Sequence, residues 1–447
     1  MLNWKQDYEK KFISAEEAAS MVKSGSRLAF TLGREAFAVG MAIAARKNEL
    51  KDVRIHVPNP GHDFGWYDEG WQDSFEIVAG FLTDTCQEAL HARRIDYLPG
   101  NLFPHQHIIE FDNSDILITE VSAPDELGFC SFGAAVWRKK QQIRAVREKG
   151  GIVIAEVNER LIRPCGDGYI HVSEIDYFVE HIHMSGVPGT GSLVGRAVKE
   201  PEPYLKNLVQ NVAELIKDGD TIQIGVGRAT EPLVRLGVLD GRRDLGVHSE
   251  ATPPGIISLV QEGVINGSCK TLNKGKVVVT SIGGSSREEM QWVDRNPLFH
   301  LVDSDYLEDV SVIAANDNMV SINQAMIVDL EGQSGAESVG WRRRSMSGGQ
   351  ISFAIGALHA RGGRSITVIP STARTPDGTV VSRIVSIMPE GTRVTIPAMC
   401  MDCVVTEYGV ANLRSKSARL RTQELINVAH PDFRDELRRS AQKMFYP

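Results

Sequence analysis

Two tandem open α/β domains of similar fold, each built on a mainly parallel sheet, are what this sequence predicts. Three observations carry that prediction. The first is an internal duplication: VKSGSRLAFTLGRE (22–35) lines up with IKDGDTIQIGVGRA (216–229), placing Gly25 on Gly219, Gly33 on Gly227 and Arg34 on Arg228, all at one offset (219 − 25 = 194). The second is the pattern inside each copy. A polar turn with glycine leads to a short apolar run, a glycine turn and a helix-like stretch, which reads as strand, turn, helix. The third is length, since 447 residues suit two or three cores.

The remaining elements follow in chain order. A second strand continues each copy, DVRIH at 52–56 and DLGVH at 244–248, with the offset now 192 (244 − 52). Further short apolar runs read as strands: DILITEV (115–121), GIVIAEV (151–157), KVVVTSI (276–282), VSVIAA (310–315), SITVIPS (365–371) and CVVTEY (403–408). AEEAASMVKSG, AAVWRKKQQIRAVREK and PEPYLKNLVQNVAELIKDG space their apolar residues as helices do. GVPGTGSLVGRAVKEPEP (186–203) is punctuated by Gly and Pro, so the domains are expected to span 1–190 and 191–447.

Composition narrows the classes of function. A net charge of −8 argues against a nucleic-acid surface, which needs a basic face for phosphates. No apolar run approaches the roughly 20 residues of a membrane helix, and MLNWKQDYEKKF lacks the apolar core of a signal peptide. Six scattered cysteines fit a reducing compartment, so the expectation is a cytoplasmic protein with no membrane partner. Cys400 and Cys403 form a lone CxxC without two further ligands nearby, and no metal site is expected.

The two copies differ where chemistry would sit. His56 is followed by Val57 and Pro58, whereas His248 is followed by Ser249 and Glu250. In open α/β sheets ligands bind beyond the C-terminal strand ends, where Glu250 is expected. A nucleophilic acid and a solvated loop acid both remain open from this pattern. QIGVGRATEP (223–232) fails the GxGxxG dinucleotide fingerprint because its third glycine would fall at Thr230. Its glycines still let backbone N–H groups approach an anion, and a plain tight turn is the alternative. SMSGGQISFAIGA (345–357) supplies a second glycine turn before a helix. WRRR (341–344) reads as a solvated face or an anion site, and the aromatic, acidic GHDFGWYDEGWQDSF (61–75) as a packed loop or a lid.

SGGQISF, SITVIPSTA, SRIV, VVTEYGVANLRSKS and LINVAHPDFRDEL, with VSAPDELGFCSFG (121–133), together resemble the acetyl-CoA hydrolase/transferase family, which includes 4-hydroxybutyrate and acetate-utilising CoA-transferases. The resemblance spans almost the whole chain and implies two CoA-transferase-like α/β domains. It implies that Glu250, in an H-[ST]-E setting, attacks the acyl-CoA thioester. It further implies that Gly225, Val226, Gly227, Arg228 and Ala229 form the first glycine turn of the site, that Gly348 and Gly349 belong to the second, and that Asn323 in the SIN segment lies near the thioester. Coenzyme A enters as a substrate with no tightly bound cofactor; the partners are acyl-CoA and short carboxylic acids, and a homodimer or larger homo-oligomer is expected. Arg228 stands where relatives often have Gly, and Ser352 where they often have Asp; both bear on acyl preference.

The chemistry suits these residues. A carboxylate is a weak nucleophile, but a thioester is an activated acyl donor. Attack by Glu250 gives a mixed anhydride and CoA thiolate; the thiolate returns to give a glutamyl-CoA thioester, and an incoming acid reverses the sequence. Each step passes through an oxyanion that Gly227, Gly348, Gly349 or the Asn323 amide would stabilise, one donor contributing about 3–4 kcal/mol. The alternatives are an acyl-CoA hydrolase, with His248 two residues from Glu250 as the base for water, and a non-catalytic acyl-CoA sensor, which has no use for a nucleophile in one repeat only.

Overall fold

The duplicated segments become the same piece of structure twice. A computed structural model describes residues 4–33, 35–99, 113–182, 202–283 and 286–445. In it β1 (Arg27–Phe30) and β8 (Thr221–Ile224) keep the offset of 194 at both ends (221 − 27 and 224 − 30). The turns before them repeat too: Gly25 and Gly219 take φ of 80° and 78°, in the left-handed region where glycine avoids a Cβ clash. Asp52 and Asp244, at the offset of 192, take φ of 54° and 59° just before the second strands. Arg34, the partner of Arg228 in the alignment, lies outside the described residues.

The first sheet contains β1, β2 (Val53–Val57), β3 (Phe75–Ala79), β4 (Asp96–Tyr97), β5 (Ile116–Val121), β6 (Ile152–Val157) and β7 (Tyr177–Glu180). Its order is β4-β3-β2-β1-β5-β6-β7, parallel throughout. Seven of the eight strands of the second sheet are β8, β9 (Gly246–Thr252), β10 (Val277–Ile282), β11 (Met319–Gln324), β12 (Arg364–Val368), β13 (Cys403–Thr406) and β14 (Gly409–Asn412). These run in the order β10-β9-β8-β11-β12-β13-β14, and the closing β13–β14 pair is antiparallel. The near-continuous apolar runs of β5 and β6 follow from helices covering a parallel sheet on both faces.

The helices bury the stripes their spacing predicts. Ser14 starts α1 (Ala15–Ser20) with a capping box: its Oγ accepts from the Glu17 N–H at 3.0 Å and its own N–H donates back to Glu17 Oε2 at 2.8 Å. The next, α2 (Phe37–Ala44), follows the first glycine turn. Ile143 and Val146 line the inner side of α3 (Lys139–Glu148); Leu205, Leu208, Val209 and Val212 do so for α4 (Tyr204–Ala213). VSVIAA, expected as a strand, is instead helix α5 (Val310–Ala314). A short apolar run fits either state, and here Asp309 decides, accepting from the Ser311 N–H at 2.7 Å as an N-cap.

The chain forms two compact units. Thr280–Asp305 belongs to the first with the described residues up to 182, and the second takes 202–279 and Tyr306 onward. Backbone bonds hold the inserted segment in the first unit: Val136 N–H donates to the Thr280 carbonyl at 2.8 Å and Leu301 N–H to the Cys165 carbonyl at 2.9 Å. The Gly- and Pro-rich stretch expected to carry the boundary lies outside the described residues, save Glu202 and Pro203. The loop 61–75 is a packed one, with Phe64, Trp66, Tyr67 and Phe75 all buried and Trp66 in edge contact with Phe30 and Phe75.

Candidate active site

Glu250 lies inside β9, which runs on to Thr252, so the acid sits on the C-terminal half of a central strand instead of beyond it. The register locates its neighbours. Thr221 pairs with Gly246 and Ile222 with Val247; four residues on, Gly225 is level with Glu250 (225 − 221 = 250 − 246). On the other side of β8, Ile224 pairs with Ile322, which brings Asn323 level with Gly225. The three expected features from distant sequence therefore end adjacent parallel strands, the usual ligand position of this architecture.

The second glycine turn reaches Glu250 directly. Helix α6 (Gln350–His359) begins after Gly349, whose N–H donates to Glu250 Oε1 at 3.3 Å. The positive end of the helix thus faces the carboxylate. Burial pushes the Glu250 carboxyl above its ordinary value, and hydrogen bonds from Glu308 and the Gly349 N–H oppose that rise. A Cβ at Gly349 would stand 2.6 Å from Oε2 of both Glu250 and Glu308, so a larger residue there must displace one or both acids. Gly348 takes φ of 57°, which turns the backbone into the helix.

The first turn is shaped by two amides. A Cβ on Gly225 would fall 2.2 Å from Asn323 Oδ1, and one on Gly227 would fall 2.4 Å from Gln324 Cδ. Gln324 Oε1 accepts from the Ala229 N–H at 2.9 Å and fixes the turn. Gln223 and Asn323 form a reciprocal amide pair, each N–H to the other's oxygen at 3.0 Å. Asn323 Nδ2 also donates to Ser321 Oγ at 3.0 Å, so both of its amide hydrogens are engaged. Among the described residues the N–H groups of Val226 and Gly227 have no partner and remain for an anion. Arg228 is exposed and Ala229 is buried. Ser352 is fully buried within α6.

His248 points to the same face as Glu250. It is fully buried, and its Nε2–H donates to the Leu307 carbonyl at 2.8 Å. Burial, with Lys270 nearby, depresses it to about 3, so the ring is neutral at any ordinary pH. Lys270 is itself buried and pulled down to about 7; its Nζ donates to the Val247 carbonyl at 2.6 Å.

Sequence reasoning missed Glu308, fully buried and set with Glu250 against the open side of Gly349, and missed Lys270, Gln223 and Gln324. Gln324 directly follows the SIN segment, a signal that was available; Glu308 carries none. Arg343 of WRRR is buried in an ion pair with Glu337 at 2.9 Å, while Arg342 and Arg344 are exposed. Cys400 and Cys403 are free thiols, and no metal-holding group of three or more His, Cys, Asp or Glu occurs among the described residues.

A half-buried carboxylate facing the start of a helix, among glycine turns with open N–H groups on an open α/β sheet, has the chemistry that acyl transfer uses. The chain matches the acetyl-CoA hydrolase/transferase N-terminal domain over residues 2–187 and the C-terminal domain of that family over 285–441. It belongs to the acetyl-CoA hydrolase/transferase family. It is 36% identical to 4-hydroxybutyrate coenzyme A transferase of Clostridium kluyveri, covering 99% of this chain and 100% of that one. It is 32% identical to succinyl-CoA:cyclohexane-1-carboxylate CoA transferase of Geobacter metallireducens, covering 99% and 97%. The crystal structure of RipA from Yersinia pestis aligns over all of both chains with a TM-score of 0.88 at 31% identity.

Proposed function

We propose that this protein is a CoA-transferase that moves CoA between an acyl-CoA and a short-chain carboxylic acid, by a ping-pong route through a thioester on Glu250. The observation that carries this reading is the Glu250 carboxylate held at the head of α6 by the Gly349 N–H. The two relatives named above are CoA-transferases matched over nearly their whole length, acting by name on 4-hydroxybutyrate and on a cyclic carboxylate.

Glu250 attacks the thioester carbon, and the C–S electron pair leaves with CoA as thiolate. The thiolate attacks the glutamyl carbonyl of the mixed anhydride, releasing the first acid. An acceptor carboxylate then takes the same path backward and departs as the new acyl-CoA. The Val226 and Gly227 N–H groups are the donors for the oxyanion; they follow Gly225, which the register sets level with Glu250. Asn323 acts by holding Gln223 and filling the space beside Gly225, since its own hydrogens are engaged. We further propose a cytoplasmic homodimer or larger homo-oligomer; among the described residues no helix is long and apolar enough to cross a membrane.

Hydrolysis is the second reading, and it needs a base for water. His248 is the nearest neutral imidazole, but its Nε2–H is committed to Leu307 and its Nδ1 is enclosed by protein. Steady-state kinetics separate the two readings. Transfer gives parallel double-reciprocal lines, with new acyl-CoA forming much faster than free CoA. Free CoA appearing as fast without an acceptor as with a panel of acids refutes transfer.

A further inference from the structure

Two arginines of the second unit, Arg228 and Arg383, take no part in the route above. Among the described residues neither side chain forms a hydrogen bond or an ion pair. Arg383 directly follows the hairpin of Thr372–Arg374 and Val380–Ser382, and its backbone is fixed on both sides. Its N–H donates to the Ser371 carbonyl at 2.9 Å, and its own carbonyl accepts from the Val328 N–H at 2.9 Å. Glu407, just past β13, acts on Arg383 but spends both its oxygens on the buried Ser371. Its Oε2 accepts from the Ser371 N–H at 3.0 Å and its Oε1 from the hydroxyl. The Arg383 Nε is enclosed by protein with nothing to donate to. A guanidinium so placed carries a desolvation cost that an anion on its outer nitrogens would offset.

Arg228 supplies the second charge, exposed on the first glycine turn beside the open N–H groups of Val226 and Gly227. Burial pulls Arg383 below the ordinary arginine value; Tyr204 and Glu407 oppose that fall, and the like charge of Arg228 adds to it. Burial raises the Tyr204 phenol, which is therefore neutral, and Glu202 acts on Tyr204 from an exposed, solvent-screened position. Glu407 thus offsets one of two cations. The single charge left over matches one carboxylate, which a guanidinium fork binds bidentately. A phosphate dianion would leave an excess negative charge beside Glu407.

Register relates these groups to the chemistry. Asn323 pairs with Thr367, so Thr367, Asn323, Gly225 and Glu250 form one row across β12, β11, β8 and β9. Three strand spacings separate β12 from Glu250 by about 14 Å. Arg383 is anchored to Ser371 past the end of β12, and Arg228 follows β8, one strand from Glu250. We propose that Arg228 and Arg383 form a carboxylate site for the far end of the acyl chain, so that the acids this enzyme activates carry a second carboxylate. This rests on the transferase reading with Glu250 as nucleophile and names the substrate class of that site.

Succinate and butyrate have chains of equal length and differ in whether the far end is a carboxylate or a methyl group. As acceptors, with acetyl-CoA as donor, succinate should be preferred by about 100-fold in kcat/KM, because butyrate leaves the arginines unpaired. Arg383→Gln and Arg228→Gln should each cut that ratio by about tenfold or more, and Arg383→Lys, which keeps the charge without the fork, should cut it less. A structural role alone would slow both acids together and leave the ratio where it was. Thermal melts identify a variant that fails to fold, and R228Q, on an exposed turn, then carries the test. Calorimetric titration of the substrate-free full-length protein with succinate should show binding that R228Q and R383Q weaken. A wild type that takes butyrate as readily as succinate, with the CoA adduct on Glu250, overturns this proposal and leaves the transferase reading intact. A raised KM for acetyl-CoA in both variants with the acid ratio unmoved also overturns it, and assigns the arginines to the phosphates of CoA. Succinate binding weakened by R228Q, in a protein that transfers CoA to no acid, keeps the carboxylate site and removes the transferase reading.

Discussion

Gly349→Ala adds one methyl group where two carboxyl oxygens already stand. The new Cβ would lie 2.6 Å from Oε2 of Glu250 and of Glu308, and 2.7 Å from Glu250 Cδ, against an ordinary contact that begins at 3.4 Å. Relief requires a displacement near 0.8 Å (3.4 − 2.6) of the acids or of the helix start. The backbone does not oppose alanine, since Gly349 has φ −82° and ψ 5°. The cost therefore falls on the position of the nucleophile. A misplacement near 1 Å lowers a rate by about 100-fold, while overpacking of this size destabilises by about 1–3 kcal/mol. Initial rates of CoA transfer across donor concentrations, with a thermal melt of the same preparation, measure both. The expected result is kcat down by about 100-fold in a protein that still melts cooperatively. A folded G349A enzyme with wild-type kcat refutes the placement of this turn at the reacting carboxylate.

Gly227→Ala should act on the chemical step: its Cβ would strike Gln324, which holds the Ala229 N–H, and displace a donor to the oxyanion, so kcat should fall by about tenfold or more with a smaller change in KM for acyl-CoA. Glu250→Asp should lower kcat by about 100-fold, because one methylene withdraws the carboxylate by about 1 Å from its bond to Gly349. Activity of the wild type should fall, on acidification, at a pH above that of an ordinary glutamate, because burial raises the Glu250 carboxyl; an acid limb at the ordinary value contradicts its enclosure. Lys270 tests the fold beneath β9. Its folded value of about 7 lies below the unfolded value of 10.5, so between these the unfolded chain binds more protons and stability rises with pH. Denaturant unfolding of Lys270→Met across that window should lose this slope.

The sheet was legible where the duplication spoke. β1 and β8 fall on the aligned segments, and the glycine at each entry turn adopts the conformation that made it recognisable. VSVIAA was misread because five apolar positions carry no period long enough to separate strand from helix, and the deciding Asp309 cap lies just outside the run. Residues 280–305 return to the first unit through backbone bonds to residues such as Val136 and Cys165, and backbone bonding over such separations leaves no side-chain pattern. In the site, Glu250 was visible because the repeat supplied an internal control, His56-Val57-Pro58 against His248-Ser249-Glu250. Glu308 was not visible, since residues 250, 308 and 349 meet only through strand order and helix placement. Asn323, expected near the thioester, lies level with the first turn by its register, and its donors serve Gln223 and Ser321, a pairing that a single sequence does not encode locally.

The most direct test of Glu250 as the covalent nucleophile is mass spectrometry of the full-length protein incubated with acyl-CoA and no acceptor acid. An adduct of the mass of CoA less water should appear, survive rapid digestion, map to the peptide containing Glu250, and disappear on adding a carboxylic acid as new acyl-CoA forms. An adduct on the exposed Cys269, or undiminished turnover by Glu250→Ala, contradicts the account.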